Sequence, residues 1–366
     1  MTSQRGDMTA ALAPGLESVG RGWSSGPLPS VLLLLCGGAL GPSGLAVLTP
    51  SVLSFLDPAA PVGLAVFGIV AVMRVRGGRR GAYSAARAAF QATLTGLIAG
   101  GALFLASPAI STSDAFPAWG LAAIILGIAA ATSSSLMWDA GETPDGKRLD
   151  TEDCIVPIVA GGLLLAFARE PSRDGALLLT AEIAAVALLI AASGWLLLAR
   201  ASTTEEQRVG TFATVLLAGG AADYLGMSAL FSGLVAGACW RLSSVRIREQ
   251  IRRDATYAAD SLLALVLLLA GAHAGYTAAA LTIAIVYTVA RVCGKLAGRW
   301  LTRHLFPAAP RPPTRLLLAP GAFGVAFALD VVRALGPAFE PVLTVVVVGT
   351  IASSLIAALA HPEADA

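Results

Sequence analysis

The stretch Tyr276-Thr-Ala-Ala-Ala-Leu-Thr-Ile-Ala-Ile-Val-Tyr-Thr-Val-Ala-Arg-Val-Cys-Gly-Lys-Leu-Ala-Gly-Arg-Trp-Leu-Thr302 decides the fold. Its first 15 residues carry no charge, and the whole run is long enough to cross a bilayer, which takes roughly 20 mainly apolar residues. Arg291 and Lys295 then follow one helical turn apart inside the same run. Two cations at membrane depth are costly unless partnered, so they mark a site.

Runs of this kind recur along the chain. About 12 candidate spans fall near 29–49, 60–75, 83–106, 116–138, 146–168, 175–199, 207–222, 225–240, 256–273, 276–302, 315–335 and 341–360. The composition agrees: of 366 residues, 56% are hydrophobic and only 13% charged, with 39 Gly and 20 Pro. Soluble domains carry about a quarter charged residues. A cytosolic enzyme is therefore excluded, and an all-α, polytopic transmembrane bundle is expected, because backbone polar groups in hydrocarbon must be satisfied within the helix. The alternation of a transmembrane barrel is absent. The net charge of +2 gives no argument for nucleic acid. Cys36, Cys154, Cys239 and Cys293 have no paired spacing and read as buried small hydrophobes.

Loop charge sets the expected orientation. Arg74 to Arg80, Arg241 to Arg253 and Arg299 to Arg315 all fall on one side if each span crosses once, and the loops opposite carry almost no Lys or Arg. Excess Lys and Arg in short loops marks the cytoplasmic face. Both termini are then inside, in a plasma or inner membrane. Residues 1–28 read as a disordered cytoplasmic tail, 29–360 as the membrane domain and 361–366 as a short cytoplasmic tail. The apolar run starts at Val31, too late for a signal peptide.

Ionisable and helix-breaking residues inside the spans are the functional candidates. Glu152-Asp153 opens the fifth span, and Asp223 separates the seventh and eighth. Thr132-Ser133-Ser134-Ser135 follows a Gly/Ala-rich half span; Pro320-Gly321-Ala-Phe-Gly324 interrupts the eleventh. Proline removes a donor, glycine loosens the backbone and hydroxyls satisfy freed carbonyls, so both stretches are suited to breaking a helix. Two broken helices, one in each half of a bundle, point to an ion site at the midplane. For the hydroxyl run alone, ordinary helix packing is the competing account. Glu182, Asp260 and Arg333 read as interfacial charges reaching for water.

In order along the chain these elements resemble the second branch of the cation/proton antiporter superfamily. Gly37-Gly-Ala-Leu-Gly-Pro-Ser-Gly-Leu45 looks like an early family element, and Asp223-Tyr-Leu-Gly-Met-Ser-Ala-Leu-Phe-Ser-Gly-Leu-Val-Ala-Gly237 is the most specific match. Gly294-Lys295 and Pro320 to Leu329 fall where the family has its basic helix and second broken helix. The resemblance implies inverted repeats, a core of crossed, broken helices moving against a second domain, and usually a homodimer. It also implies that one carboxylate binds either a proton or a Na⁺ or K⁺ ion, with no further cofactor. Desolvation favours the protonated carboxyl, which makes that competition workable near neutral pH. By position the acid is Asp153, with Glu152 beside it. Thr132, Ser133, Ser134 and Ser135 would supply oxygens, and Lys295 the counter-charge.

The sequence departs from the family pattern in three places. Residues 1–28 supply no additional first helix, and Gly146-Lys-Arg-Leu-Asp-Thr-Glu152 is short and polar. Pro157 follows Asp153 by four residues where the family has five, so a one-residue shift nominates Glu152; Arg291 similarly competes with Lys295. A non-transporting relative and a carrier of another solute on the same scaffold are the alternatives. An intramembrane protease built on Gly41-Pro-Ser43-Gly44 would need His273 as base.

Overall fold

A computed structural model describes residues 28–73, 79–106, 119–133, 146–170, 172–307 and 317–359, and all their regular structure is helical. In chain order the helices are α1 (Leu28–Leu40), α2 (Pro50–Leu56), α3 (Ala59–Met73), α4 (Arg79–Leu105), α5 (Trp119–Ala131), α6 (Gly146–Arg169) and α7 (Arg173–Arg200). They continue with α8 (Thr204–Leu225), α9 (Ala229–Trp240), α10 (Val245–His273), α11 (Ala278–Leu305), α12 (Ala322–Leu335) and α13 (Glu340–Leu359). Every expected span has a helix at its place. The addition is α2, which meets α3 at a bend of 41°. Pro58 sits at the bend and has no N–H to carry the ladder onward.

Among the described residues, five helices are long and apolar enough to cross a bilayer alone: Ala85–Leu105, Asp174–Arg200, Ile247–His273, Ala278–Leu305 and Pro337–Leu359. Ser30–Leu40, Trp119–Ala131, Cys154–Arg169 and Ala229–Trp240 are apolar but shorter. Their shortness has local causes. The Gly41-Pro42 pair stops α1, hydroxyl residues follow α5, and Gly226, with φ of 61°, ends α8 and forces a turn into α9. On α7, Leu178, Leu189, Trp195 and Leu197 point outward. An apolar face of that extent belongs in lipid. The chain is an integral, multi-pass membrane protein.

The cysteine expectation holds only in part. Cys154 is buried and Cys239 half-buried, but Cys36 and Cys293 are exposed on their helices. A lipid-facing position suits a small thiol as well as a core position does.

Helix packing separates two bundles. One contains α4, α5, α6, α11, α12 and α13; the other contains α1, α3, α7, α8, α9 and α10, and α2 leads directly into α3. The most extensive helix pairs all lie within one bundle or the other. The most extensive of these, α3 on α9, depends on glycine. A Cβ on Gly233 would strike the Ala65 carbonyl, and one on Gly68 would strike the Leu230 carbonyl and lie 2.6 Å from the Leu234 nitrogen. Missing side chains let the two backbones touch, the usual route to helix association in lipid. Between the bundles, Phe67 of α3 meets Phe323 of α12 edge-on, with ring centroids 6.0 Å apart.

At the start of α8 the chain builds a capping box. The Glu206 amide donates to the Thr203 hydroxyl, and the Glu206 carboxylate accepts from the Thr203 amide. Hydrogen bonds from the Ser202 amide and hydroxyl, and then from the Thr203 amide, hold the Glu206 carboxyl below its ordinary range.

The glycine contacts give a direct test. Gly233→Val is expected to destabilise the protein by about 1–3 kcal/mol through overpacking against backbone. Gly220→Ala, where an added Cβ meets nothing within 4 Å, should stay within about 1 kcal/mol of the parent. Thermal unfolding in detergent checks both.

Candidate ion-transport site

The helix α5 stops at Ala131 deep in its bundle, and its last carbonyls have no partner along the helix. Two cations from α11 meet them. The Lys295 ammonium donates to the Ala131 carbonyl at 2.6 Å and to the Ser133 hydroxyl at 3.3 Å. The Arg291 guanidinium donates to the carbonyls of Ala130 at 2.7 Å and Thr132 at 3.0 Å. Both side chains are buried, Lys295 at 0% and Arg291 at 2% exposure. Spaced four residues apart on α11, they share one helix face. The C-terminal end of a helix carries partial negative charge, so the cations answer both its dipole and its orphan acceptors.

Pro320 and Gly321 break the helix opposite. A short turn at 317–318 ends there, and α12 begins at Ala322 with no side-chain cap at Gly321. Arg291 joins the two breaks, since its second nitrogen donates to the Ala319 carbonyl at 3.4 Å. The breaks also touch directly: a Cβ on Gly324 would lie 2.7 Å from the Thr132 hydroxyl and 3.1 Å from the Ala129 carbonyl. Thr132 and Ser133 are buried, and the Thr132 hydroxyl folds back to the Ala129 carbonyl at 2.7 Å. The crossing therefore sets the C-terminal end of α5 against the N-terminal end of α12, with two fixed positive charges on the first. Oxygen acceptors, hydroxyls and opposed helix ends together suit the handling of small ions.

The backbone of α6 reaches this crossing. Cys154, fully buried, donates its thiol to the Ser133 carbonyl at 3.0 Å, and Asp153 is the residue before it on the same helix. The side chains of Glu152 and Asp153, and all of Ser134 and Ser135, lie outside the described residues. Among the expected site residues, Thr132, Ser133, Arg291, Lys295, Pro320 and Gly321 are thus brought together. Arg291 and Lys295, the two competing cations, both engage the same helix end.

Asp223 stands elsewhere, at the end of α8, where Arg333 of α12 donates to it at 2.7 Å and 3.1 Å. Arg333 is therefore bridging rather than reaching for water, whereas Glu182 and Asp260 are exposed. A residue the sequence did not single out as a partner is Ser228. Its hydroxyl donates to the buried carboxylate of Asp330 at 2.5 Å, and the Ala229 amide donates to the same carboxylate at 3.0 Å. The only hint in sequence was an acid within an apolar run. His273 pairs with Asp57 at 2.9 Å, while the Ser43 hydroxyl donates to the Ala274 carbonyl at 3.1 Å, so serine and histidine are engaged separately.

This architecture matches a solved structure. The sodium proton antiporter MjNhaP1 from Methanocaldococcus jannaschii, at pH 8, superposes with a TM-score of 0.62 over 90% of this chain and 89% of that one, at 16% sequence identity. The fold is that of a sodium/proton antiporter. No protein-family model and no curated protein matches the antiporter-like chain in sequence. The expected bundle with its two broken helices is accordingly the observed fold.

The crossing predicts its own dependence on the two cations. Arg291→Met leaves three backbone acceptors without their donor, and Lys295→Met leaves one backbone acceptor and a hydroxyl. Each is expected to cost about 3 kcal/mol, the scale of losing charged hydrogen bonds in a buried site. Lower melting temperatures of the purified variants would show it.

Proposed function

We propose that the protein exchanges a monovalent cation, Na⁺ or K⁺, for a proton across the membrane. The observation that carries this reading is the crossing of α5 and α12 with Arg291 and Lys295 bound to the α5 end, within an antiporter-like fold. In this mechanism the carboxylate of Asp153, with Glu152 as neighbour, takes either the proton or the cation. Thr132 and Ser133, with Ser134 and Ser135 beyond them, supply oxygens to a hard monovalent ion. Lys295 and Arg291 keep the empty acid ionised and hold the broken helix in place. Access alternates as the bundle containing the crossing moves against the bundle built on α3, α9 and α10. The arginine-rich loops and both termini face the cytoplasm, and residues 29–360 form the transport domain of a homodimer.

The test is flux in proteoliposomes. A Na⁺ or K⁺ gradient should drive proton movement in the parent protein, and Asp153→Asn should abolish it while the melting temperature stays within about 2 °C. Equal flux in the two proteins would end the reading. Thermal shifts in Na⁺, K⁺ and Li⁺ provide a second arm, because a ligand that binds only the folded state raises stability, by about 2.7 kcal/mol at a hundredfold excess over its Kd. Absence of both flux and cation-induced stabilisation in the parent would assign the chain to a non-transporting relative.

A further inference from the structure

At the end opposite the arginine-rich loops, polar side chains of α12 reach into the other bundle. The Asp330 carboxylate, 2% exposed, accepts from the Ser228 hydroxyl and the Ala229 amide at the start of α9. One turn on, Arg333 donates to Asp223 at the end of α8 and lies 3.9 Å from Asp57, in the link between α2 and α3. Asp57 is held in turn by His273 at the end of α10. A helix start bears partial positive charge, so a carboxylate is well matched to it. The small cleft between these groups is lined by Pro61, Asp223, Gly226, Met227, Asp330 and Arg333.

We propose that Asp330 and Arg333 form a latch that closes the molecule at this end and holds it in the conformation described here. The proposal rests on the reading in which the two bundles move against each other. The acceptors and donors of the latch come from opposite bundles, so any separation at this end must break them. The latch exists in one state alone and, together with the hydrogen bonds from Arg169 of α6 to the Leu225 and Gly226 carbonyls, weights the molecule towards the closed end. Asp330 and Arg333 act here as positioning residues: they touch no transported ion, and they bias the arrangement of the crossing at the far end of the same helix.

The test reads opening without reading transport. Met227→Cys places a thiol at a site that is 5% exposed inside the latch, and maleimide labelling of the purified protein is followed peptide by peptide. Arg333→Gln, and separately the milder Ser228→Ala, should speed labelling at position 227 at least tenfold, equivalent to about 1.4 kcal/mol. Leu103→Cys, at 0% exposure on α4 within one bundle, is the control and should keep its slow rate in both backgrounds. Unchanged labelling at 227 would overturn the latch. Equal acceleration at 103 and 227 would also overturn it, because that marks general loosening. Failure of cation-driven flux with labelling as expected would remove the antiport reading and leave the latch standing.

Discussion

A helix that stops inside a membrane protein leaves acceptors where no water can reach them, and the rest of this structure depends on how that problem is solved at Ala131. The carbonyls of Ala130, Ala131 and Thr132 are met by two cations from α11. Neither partner is stable alone. Two buried cations without acceptors would be far too costly in hydrocarbon, and so would the exposed helix end. Each removes the other's penalty, which ties the position of α11 to that of the break. Because Arg291 also reaches Ala319, the second break is drawn to the same point. Gly324 then permits the approach, having no Cβ to strike Thr132.

Much of this was legible in the sequence, for reasons that differ by element. The spans could be placed because hydrocarbon imposes length and apolarity on each one. Pro320-Gly321 announced the break in α12 through backbone chemistry alone. The ambiguity between Arg291 and Lys295 arose because two residues one turn apart project from the same face, and the structure uses both. Other features depend on how helices are rotated against each other, which composition does not encode. Asp330 meets Ser228 across 102 positions and Arg333 meets Asp223 across 110. In the sequence Asp223 and Asp330 stand out only as acids beside or within apolar runs, and nothing there pairs them with Arg333 and Ser228. The helix α2 was missed because seven residues are too few to register as a span, and Cys36 and Cys293 face outward although apolar neighbours suggested burial.

The helix α12 links the two polar regions. Its N-terminus belongs to the crossing and its C-terminal half carries Asp330 and Arg333. Its 14 residues make a rod of about 21 Å at 1.5 Å per residue. A rod of that length transmits displacement rather than absorbing it, since its backbone hydrogen bonds all run within the helix. Its buried face, from Phe323 to Val331, is packed along most of its length. In the proposed latch, releasing the C-terminal half from Ser228 and Asp223 would remove the polar ties of α12 to the other bundle and leave apolar contacts such as Phe67 with Phe323. The interactions at the two ends also differ in kind. At the crossing, Arg291, Lys295 and the α5 carbonyls all lie within one bundle, so they can survive a rigid displacement of that bundle. At the other end the partners come from both bundles and cannot. The exchange proposed above would need this division: contacts that keep the crossing intact in either state, and contacts that exist in only one.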